Sequence, residues 1–484
     1  MATQKPPPGA PATPPTENAP PPANNADAAL LTEGPVRVHL VAMTVPMIWG
    51  ILSIILFNAV DVFFIAKLGT EPLAAIAFCY PVILTVGALG IGLGVGTASV
   101  VSRAVGEGDN DTICRLSTHA LSLSLVIVTA VTIVGLLTIR PLFTALGAGP
   151  EALVEIEKFM RIWYLGSPLL VVPMIANSII RARGDAKFPS YVMIAAAAVN
   201  AILDPLFIFG LGPFPRLEIE GAAVASVIAR AFALFASIAI LVFRERLIRF
   251  SGATWATVLA AWKSVLKIAG PAALAQMLNP ILTAVLTAFV AQYGAAAVAG
   301  YGVAGRIESI FLTVLFAVSM GLSPIVGQNW GRQRIDRVKE ATALAFMFCL
   351  AYGALLAVVL PFIGGPMASI FDPSTEVVAT AALYLSLAPL GYAGHGIALA
   401  AASSFNGSGK PLHATIVAAG RALMLVIPCT ALGSYFFGMT GLFAGVALGN
   451  MAAGLSTYLY FRQRCNLHLR AVPQPTAAMA EHYH

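Results

Sequence analysis

Twelve apolar runs of about 20 residues follow one another along the chain, and they constrain its fold more than any other feature. A helix needs about 20 residues to cross the roughly 30 Å hydrocarbon core of a bilayer. Hydrocarbon offers the backbone no hydrogen-bond partner, so each run must satisfy its own backbone groups by forming a helix. A membrane β-barrel would instead show alternating segments of about ten residues. The sequence therefore predicts an all-α integral membrane protein.

Composition supports the same class, because 58% of the residues are hydrophobic and only 10% are charged. Ordinary soluble proteins are roughly 25% charged, so this chain cannot build the polar surface of a soluble enzyme. The same figures exclude a disordered chain and a disulfide-stapled secreted domain. The predicted spans lie at 38–67, 74–102, 117–139, 155–180, 190–209, 221–243, 265–291, 300–326, 341–363, 377–403, 412–435 and 441–460.

The two halves of the chain form a repeat. Pro46 aligns with Pro271, an offset of 225 residues, and Gly69 aligns with Gly294 at the same offset. Six helices separate the copies, and because six is even the two lobes are parallel repeats around a central cavity. The predicted segments are a Pro-rich disordered cytoplasmic tail at 1–35, a first six-helix lobe at 36–243, a cytoplasmic linker at 244–264, a second six-helix lobe at 265–465 and a C-terminal tail at 466–484.

The positive charges predict the orientation of the chain. With a cytoplasmic N-terminus, the inner segments hold 20 of the 28 Lys and Arg residues, the outer loops hold 5, and 3 lie within spans. Cytoplasmic loops of membrane proteins carry an excess of Lys and Arg. Both termini are therefore expected in the cytoplasm, and the lipid bilayer rather than nucleic acid is the expected partner of this basic chain.

Two carboxylates lie deep within predicted spans. An ionisable group costs at least ~2.5–3.5 kcal/mol in mid-helix, so Asp61 and Asp204 are candidates for function. Each lies roughly 10 Å from the outer end of its span, Asn200 shares a helical face with Asp204, and Ser226 lies at similar depth. If the first, fifth and sixth spans are neighbours, the four side chains form one pocket. Na⁺ held by Asp61, Asn200 and Asp204 is one hypothesis, and a proton shared by the two carboxylates is equally compatible.

The second lobe lacks these carboxylates, since Asp61 aligns with Leu286 and Asp204 with Ile427. Its polar candidates are Asn279, which precedes a proline in the seventh span, and His395, which lies inside the tenth. A histidine can titrate near neutral pH, although a lone histidine inside a membrane protein is more often hydrogen-bonded packing. Both residues are predicted to line a second-lobe cavity.

No nucleotide-binding or enzymatic motif stands out. The glycine-rich stretch at 90–99 lies in a predicted membrane helix with no preceding strand, and no GxxxxGK[ST] sequence occurs. Closely spaced small residues allow membrane helices to approach each other. Transport is therefore expected to draw on an ion gradient, with no cofactor and no enzymatic step.

Several of these segments resemble the multidrug and toxic compound extrusion (MATE) family over roughly 36–465. The matching pieces are PMIWGILSIILFNAVDVFFIAKLG, VGTASVVSRAVGEGD, RARGDAKFPSYVMIAAAAVNAILDPLFIFG and EGAAVAS. The resemblance implies export of organic, often cationic, drugs and toxins in exchange for H⁺ or Na⁺. It also places cation coupling on Asp61, Asn200 and Asp204, with Ser226 standing where a threonine is expected.

The chain departs from one branch of that family, which carries acidic residues in the seventh and tenth helices. Asn279 and His395 stand there instead, so the chain looks closer to the DinF-like branch. The expected protein is a monomeric, multi-pass efflux transporter of the cell membrane, the inner membrane if the source is bacterial. The alternative is a lipid-linked saccharide flippase, which should have a cationic cavity, and Arg421 alone does not supply one.

Overall fold

The computed structural model describes residues 31–249 and 254–471, and every regular element within these ranges is helical. Most of the predicted tails, at 1–35 and 466–484, lies outside the described residues. The helices are α1 (Val36–Ala66), α2 (Thr70–Glu107), α3 (Asn110–Ala145), α4 (Pro150–Leu165), α5 (Ser167–Ala182), α6 (Lys187–Phe209), α7 (Glu218–Ala239), α8 (Trp255–Ala291), α9 (Ala295–Gly331), α10 (Ile335–Phe371), α11 (Thr375–Leu387), α12 (Tyr392–Gly407), α13 (Pro411–Ala419) and α14 (Ile427–Ala471).

Short irregular helical turns join some of these helices into longer rods. A π-helical turn at Ile240–Arg244 extends α7, and another at Gly420–Val426 joins α13 to α14. A 3₁₀ turn at Ala388–Gly391 joins α11 to α12. Helix α8 begins at Trp255, inside the predicted linker 244–264.

The described helices give twelve membrane spans, which confirms the predicted number. Ten continuous rods are long and apolar enough to cross a bilayer, and α4 with α5 makes an eleventh that bends by 42°. One of the ten rods, Pro411–Arg464, is 54 residues long. At 1.5 Å per residue it would measure about 80 Å, more than twice the thickness of the hydrocarbon core. This rod therefore has to contain two spans.

Gly438 divides that rod into a helical hairpin. Its φ of 61° and ψ of −145° are not helical, and the positive φ favours glycine. The two arms then run side by side, so closely that a Cβ atom on Gly441 would lie 2.1 Å from the carbonyl oxygen of Gly433. The twelfth span is thus the arm that follows Gly438.

The fourth span is interrupted in both halves, which supports the repeat. In the first half Gly166 separates α4 from α5, and in the second half the 3₁₀ turn at Ala388–Gly391 separates α11 from α12. Because the fourth span consists of two helices, α6 is the fifth span and α7 the sixth. Helices α1, α6 and α7 pack against one another, as do α8, α14 and the π-helical turn at Gly420–Val426 in the second half.

The two lobes are fastened together at the end of the bundle where α1 begins. Residues 31–34, which precede α1, lie against the ends of α9 and α10 in the second lobe. The backbone N–H of Leu31 donates to Gln328 at 2.9 Å, and Arg334 donates to the carbonyl of Thr32 at 2.6 Å. Arg337 donates to the carbonyl of Gly34 at 2.9 Å. We call these contacts the inner seam, because the charge distribution predicts that this end faces the cytoplasm.

The hairpin contact makes a prediction about stability. In Gly441→Val the added side chain meets the backbone of Gly433, and overpacking of this kind costs about 1–3 kcal/mol. Gly302→Val is a matched control, since no atom lies within 4 Å of a Cβ built there. We expect Gly441→Val to lower the thermal unfolding midpoint of the detergent-purified protein by several degrees more than Gly302→Val. Equal midpoints would contradict the hairpin.

Candidate functional site

The structure brings Asp61, Asn200, Asp204 and Ser226 together in one cluster, which we call the acidic cluster. Asp61 lies on α1, Asn200 and Asp204 lie one turn apart on α6, and Ser226 lies on α7. Asn200 and Asp204 have 0% exposure and Ser226 has 2%, so three members are sealed from solvent. Asp61 is partly buried. The helical spacing that predicted a shared face for Asn200 and Asp204 is present in the structure.

One amide group connects the two carboxylates. Asn200 Nδ2 donates to Asp204 Oδ1 at 3.0 Å and to Asp61 Oδ1 at 3.4 Å. The hydroxyl of Ser226 donates to the other oxygen of Asp61 at 3.2 Å. These bonds tie α1 to α6 and α7, so any change in the charge of the carboxylates acts on the packing of all three helices.

The cluster contains more buried acceptors than donors. Asn200 Oδ1 and Asp204 Oδ2 are both buried without a hydrogen-bond partner. A buried polar atom without a partner costs free energy, and a proton or a cation with oxygen ligands would satisfy both atoms. No group of three His, Cys, Asp or Glu side chains suited to a metal ion occurs in the described part of the chain. The donor set of the acidic cluster, two carboxylates with an amide and a hydroxyl oxygen, fits a monovalent cation or H⁺.

Arg230 lies beside the acidic cluster, and sequence reasoning gave it no role. It is one helical turn after Ser226 on α7, and it is close enough to Asp61 to interact electrostatically. Its Cζ lies 5.5 Å from the centre of the Trp163 ring, while Nη1 is buried without a partner. Its i, i+4 spacing from Ser226 could have indicated from the sequence that it shares a helical face with the cluster. Arg230 is thus a fixed positive charge next to the proposed cation site.

The second-lobe candidates lie elsewhere. The side-chain oxygen of Asn279 accepts from Arg421 Nη2 at 2.7 Å. The His395 ring packs edge-on against Phe316 at 6.2 Å, and its Nε2 is buried without a partner. No hydrogen bond within the described chain joins Asn279 to His395. The structure thus places both residues in the second lobe without joining them to the acidic cluster.

Comparisons of sequence and of structure with known proteins point to the same family. The MatE family model matches residues 46–206 and 271–432. The two matched segments begin 225 residues apart, which is the offset of the repeat (271 minus 46). A single family module therefore describes both lobes.

Similar proteins cover nearly the whole chain. A FAD transporter of Shewanella oneidensis is 36% identical over 434 residues, 90% of this chain and 96% of that protein. The multidrug export protein MepA of Staphylococcus haemolyticus is 24% identical over 426 residues, 88% of this chain and 93% of that protein. Among solved structures, the MATE transporter VcmN of Vibrio cholerae superposes with a TM-score of 0.84 at 30% identity, over 90% of this chain and 97% of that chain.

Arg230 gives a prediction about cation affinity. A positive charge close to Asp61 opposes the binding of another cation, so Arg230→Gln should tighten the binding of the coupling ion. Arg230→Lys keeps the charge and serves as the control. We expect the half-saturating concentration of H⁺ or Na⁺ for transport to fall by about tenfold in Arg230→Gln, equivalent to ~1.4 kcal/mol, and to change little in Arg230→Lys. An unchanged value in both variants would show that Arg230 does not act on the cluster.

Proposed function

We propose that this chain, which belongs to the MatE family of transporters, exports organic compounds in exchange for H⁺ or Na⁺. The observation that carries this proposal is the acidic cluster inside the membrane helices of the first lobe. The corresponding second-lobe residues are Leu286 and Ile427, so the shared fold does not require carboxylates at these positions. Ionised groups inside membrane helices are costly, and they typically mark ion pathways.

The proposed coupling follows from the geometry of the cluster. A cation or proton bound among Asp61, Asn200 and Asp204 neutralises the carboxylates and satisfies the two orphaned oxygens. Because the ligands come from different helices, the bound ion favours the arrangement in which α1 lies against α6. Release of the ion removes that preference, and a difference in ion affinity between two states is what drives alternating access.

The class of substrate is also a proposal. The relatives named MepA support organic drugs, often cationic, as expected from the sequence. A second candidate, FAD or a related flavin nucleotide, is supported by the higher identity to the FAD transporter, 36% against 24% for MepA. Export of ethidium and of FAD, each measured from cells that lack other exporters, separates the two candidates.

The central prediction concerns the two carboxylates. Asp61→Asn and Asp204→Asn keep the size of the side chain and remove its titratable charge, so each variant should fold and insert but lose gradient-driven efflux. Asp336→Asn, a change at an exposed position on α10, is the matched control and should transport normally. Purified variants in lipid vesicles are given a proton or a sodium gradient in turn, which also identifies the coupling ion. Efflux at wild-type rates by both cluster variants would refute the coupling site.

The proposed orientation, with both termini in the cytoplasm, has its own test. The outer loop near Glu218 and the inner segment near Arg246 are predicted on opposite sides of the membrane. In a bacterial host, alkaline phosphatase fused near Glu218 should be active, and the same enzyme fused near Arg246 should be inactive. The reverse pattern of activity would invert the topology and place the inner seam outside.

A further inference from the structure

A buried arginine lies in the second lobe on the span that corresponds to the one holding Asp204 in the first lobe. Arg421 has 8% exposure and lies in the π-helical turn Gly420–Val426 of the eleventh span. Its Nη1 donates to the side-chain oxygen of Asn450 on α14 at 3.0 Å, and its Nη2 donates to that of Asn279 on α8 at 2.7 Å. π-helical turns inside α-helices are frequent at functional sites.

The three helices that hold this group are the counterparts of those that hold the acidic cluster. Helix α8 repeats α1, the eleventh span repeats α6, and the last span repeats α7. With the offset that aligns Asp204 with Ile427, Arg421 aligns with Ala198. On these corresponding helices the first lobe carries two carboxylates beside Arg230, whereas the second lobe carries Arg421 and no carboxylate.

Arg421 has hydrogen-bond partners, but its positive charge has no close counter-ion among the described residues. Its two hydrogen-bond partners are neutral amides, and no carboxylate lies within 4.0 Å of it among the described residues. Glu308 interacts with Arg421 only from a greater distance, and its carboxylate accepts the Tyr384 hydroxyl at 3.0 Å. A guanidinium has five N–H donors, so three remain for another ligand. A buried cation without a close counter-ion is costly, and an anionic ligand would offset that cost.

A histidine within electrostatic range of Arg421 is a second candidate donor. His395 interacts electrostatically with Arg421, and its Nε2 is buried without a partner. In the tautomer protonated at Nε2, this atom donates a hydrogen bond to an anion. Asn279 is partly buried, and its helix α8 packs against α2 of the first lobe. The group therefore lies beside a helix that forms part of the contact between the two lobes.

We infer that Arg421, positioned by Asn279 and Asn450, is a second-lobe subsite for the anionic group of an exported compound. The chemistry it recognises is a phosphate or a carboxylate, which a guanidinium binds by charge-assisted hydrogen bonds. This inference rests on the proposed function as an exporter, and it adds that the second lobe recognises the substrate while the first lobe binds the coupling ion.

The test compares two ligands that differ by one phosphate. FMN and riboflavin share the flavin ring, and binding of each to the protein purified in a neutral detergent is followed by quenching of flavin fluorescence. Wild-type protein should bind FMN more tightly than riboflavin. Arg421→Gln should weaken FMN binding by about 10- to 100-fold, the usual effect of losing a charged hydrogen bond, and leave riboflavin binding unchanged.

The controls separate binding from folding and from coupling. Arg306→Gln removes an exposed arginine within a helix of the same lobe and should bind both flavins as the wild type does. If Arg421→Gln does not fold, Arg421→Lys decides the question, because it keeps the charge but not the bond to both amides and should lose FMN affinity selectively. The binding assay uses no ion gradient, so a failure of the coupling proposal would appear in transport and not in this assay.

Three outcomes would overturn the subsite. Equal affinity of the wild type for FMN and riboflavin would remove the phosphate preference, and an equal loss of both ligands in the Arg421 variants would indicate a structural role. Binding of phosphatidylglycerol in place of FMN, lost in Arg421→Gln, would identify a lipid headgroup as the ligand instead of an exported compound.

Discussion

The hydrogen bond from Asn200 to Asp61 joins α6 to α1 through a carboxylate that lies inside a membrane helix. An ionised carboxylate inside a membrane helix costs several kcal/mol unless a partner offsets it. Asn200 bonds both carboxylates of the acidic cluster, and Ser226 bonds Asp61 from a third helix. The cost is only partly offset, because two buried oxygens have no donor. In the proposed function, this residual demand for a cation makes the packing of α1 sensitive to the transported ion.

The inner seam and the acidic cluster lie near opposite ends of α1. Residues 31–34 bind the second lobe immediately before α1 begins, whereas Asp61 lies near the opposite end of the same helix. The arginines of the seam hold the lobes together at the predicted cytoplasmic end. A change in the packing of α1 at the acidic cluster can therefore be transmitted along this helix to the contact between the lobes. In this structure the two lobes are closed at the seam.

Much of the fold could be predicted from the sequence, because hydropathy and helix length are local properties. The twelve spans were predicted, but the structure extends many helices beyond them, as with α3 at Asn110–Ala145 against 117–139. Those extra turns contain charged and polar residues such as Asn110, Asp111 and Arg140, which lower the local hydropathy below that of a span. The juxtaposition of Asn200 and Asp204 followed from the helical period alone.

The remaining site residues depend on contacts between helices. The guanidinium of Arg230 lies over Trp163, which is on another helix. The bonds of Arg421 to Asn279 and Asn450 cross three spans, and a π-helical turn shifts the face on which Arg421 lies. Periodicity within one helix contains no information about such pairings. Comparison of the two repeats locates corresponding helices, and it still does not give the rotation of each helix about its axis.

The central claim, that the acidic cluster binds the coupling ion and that substrate binding favours the state with lower affinity for this ion, is tested most directly at equilibrium and without a gradient. Purified protein in a weakly buffered solution is titrated with ethidium while the released H⁺ and Na⁺ are followed with a pH indicator and a sodium electrode. The account predicts that substrate binding displaces one of these ions from the wild type, and that the double variant Asp61→Asn, Asp204→Asn binds substrate without releasing either. Equal ion release from both proteins would contradict it.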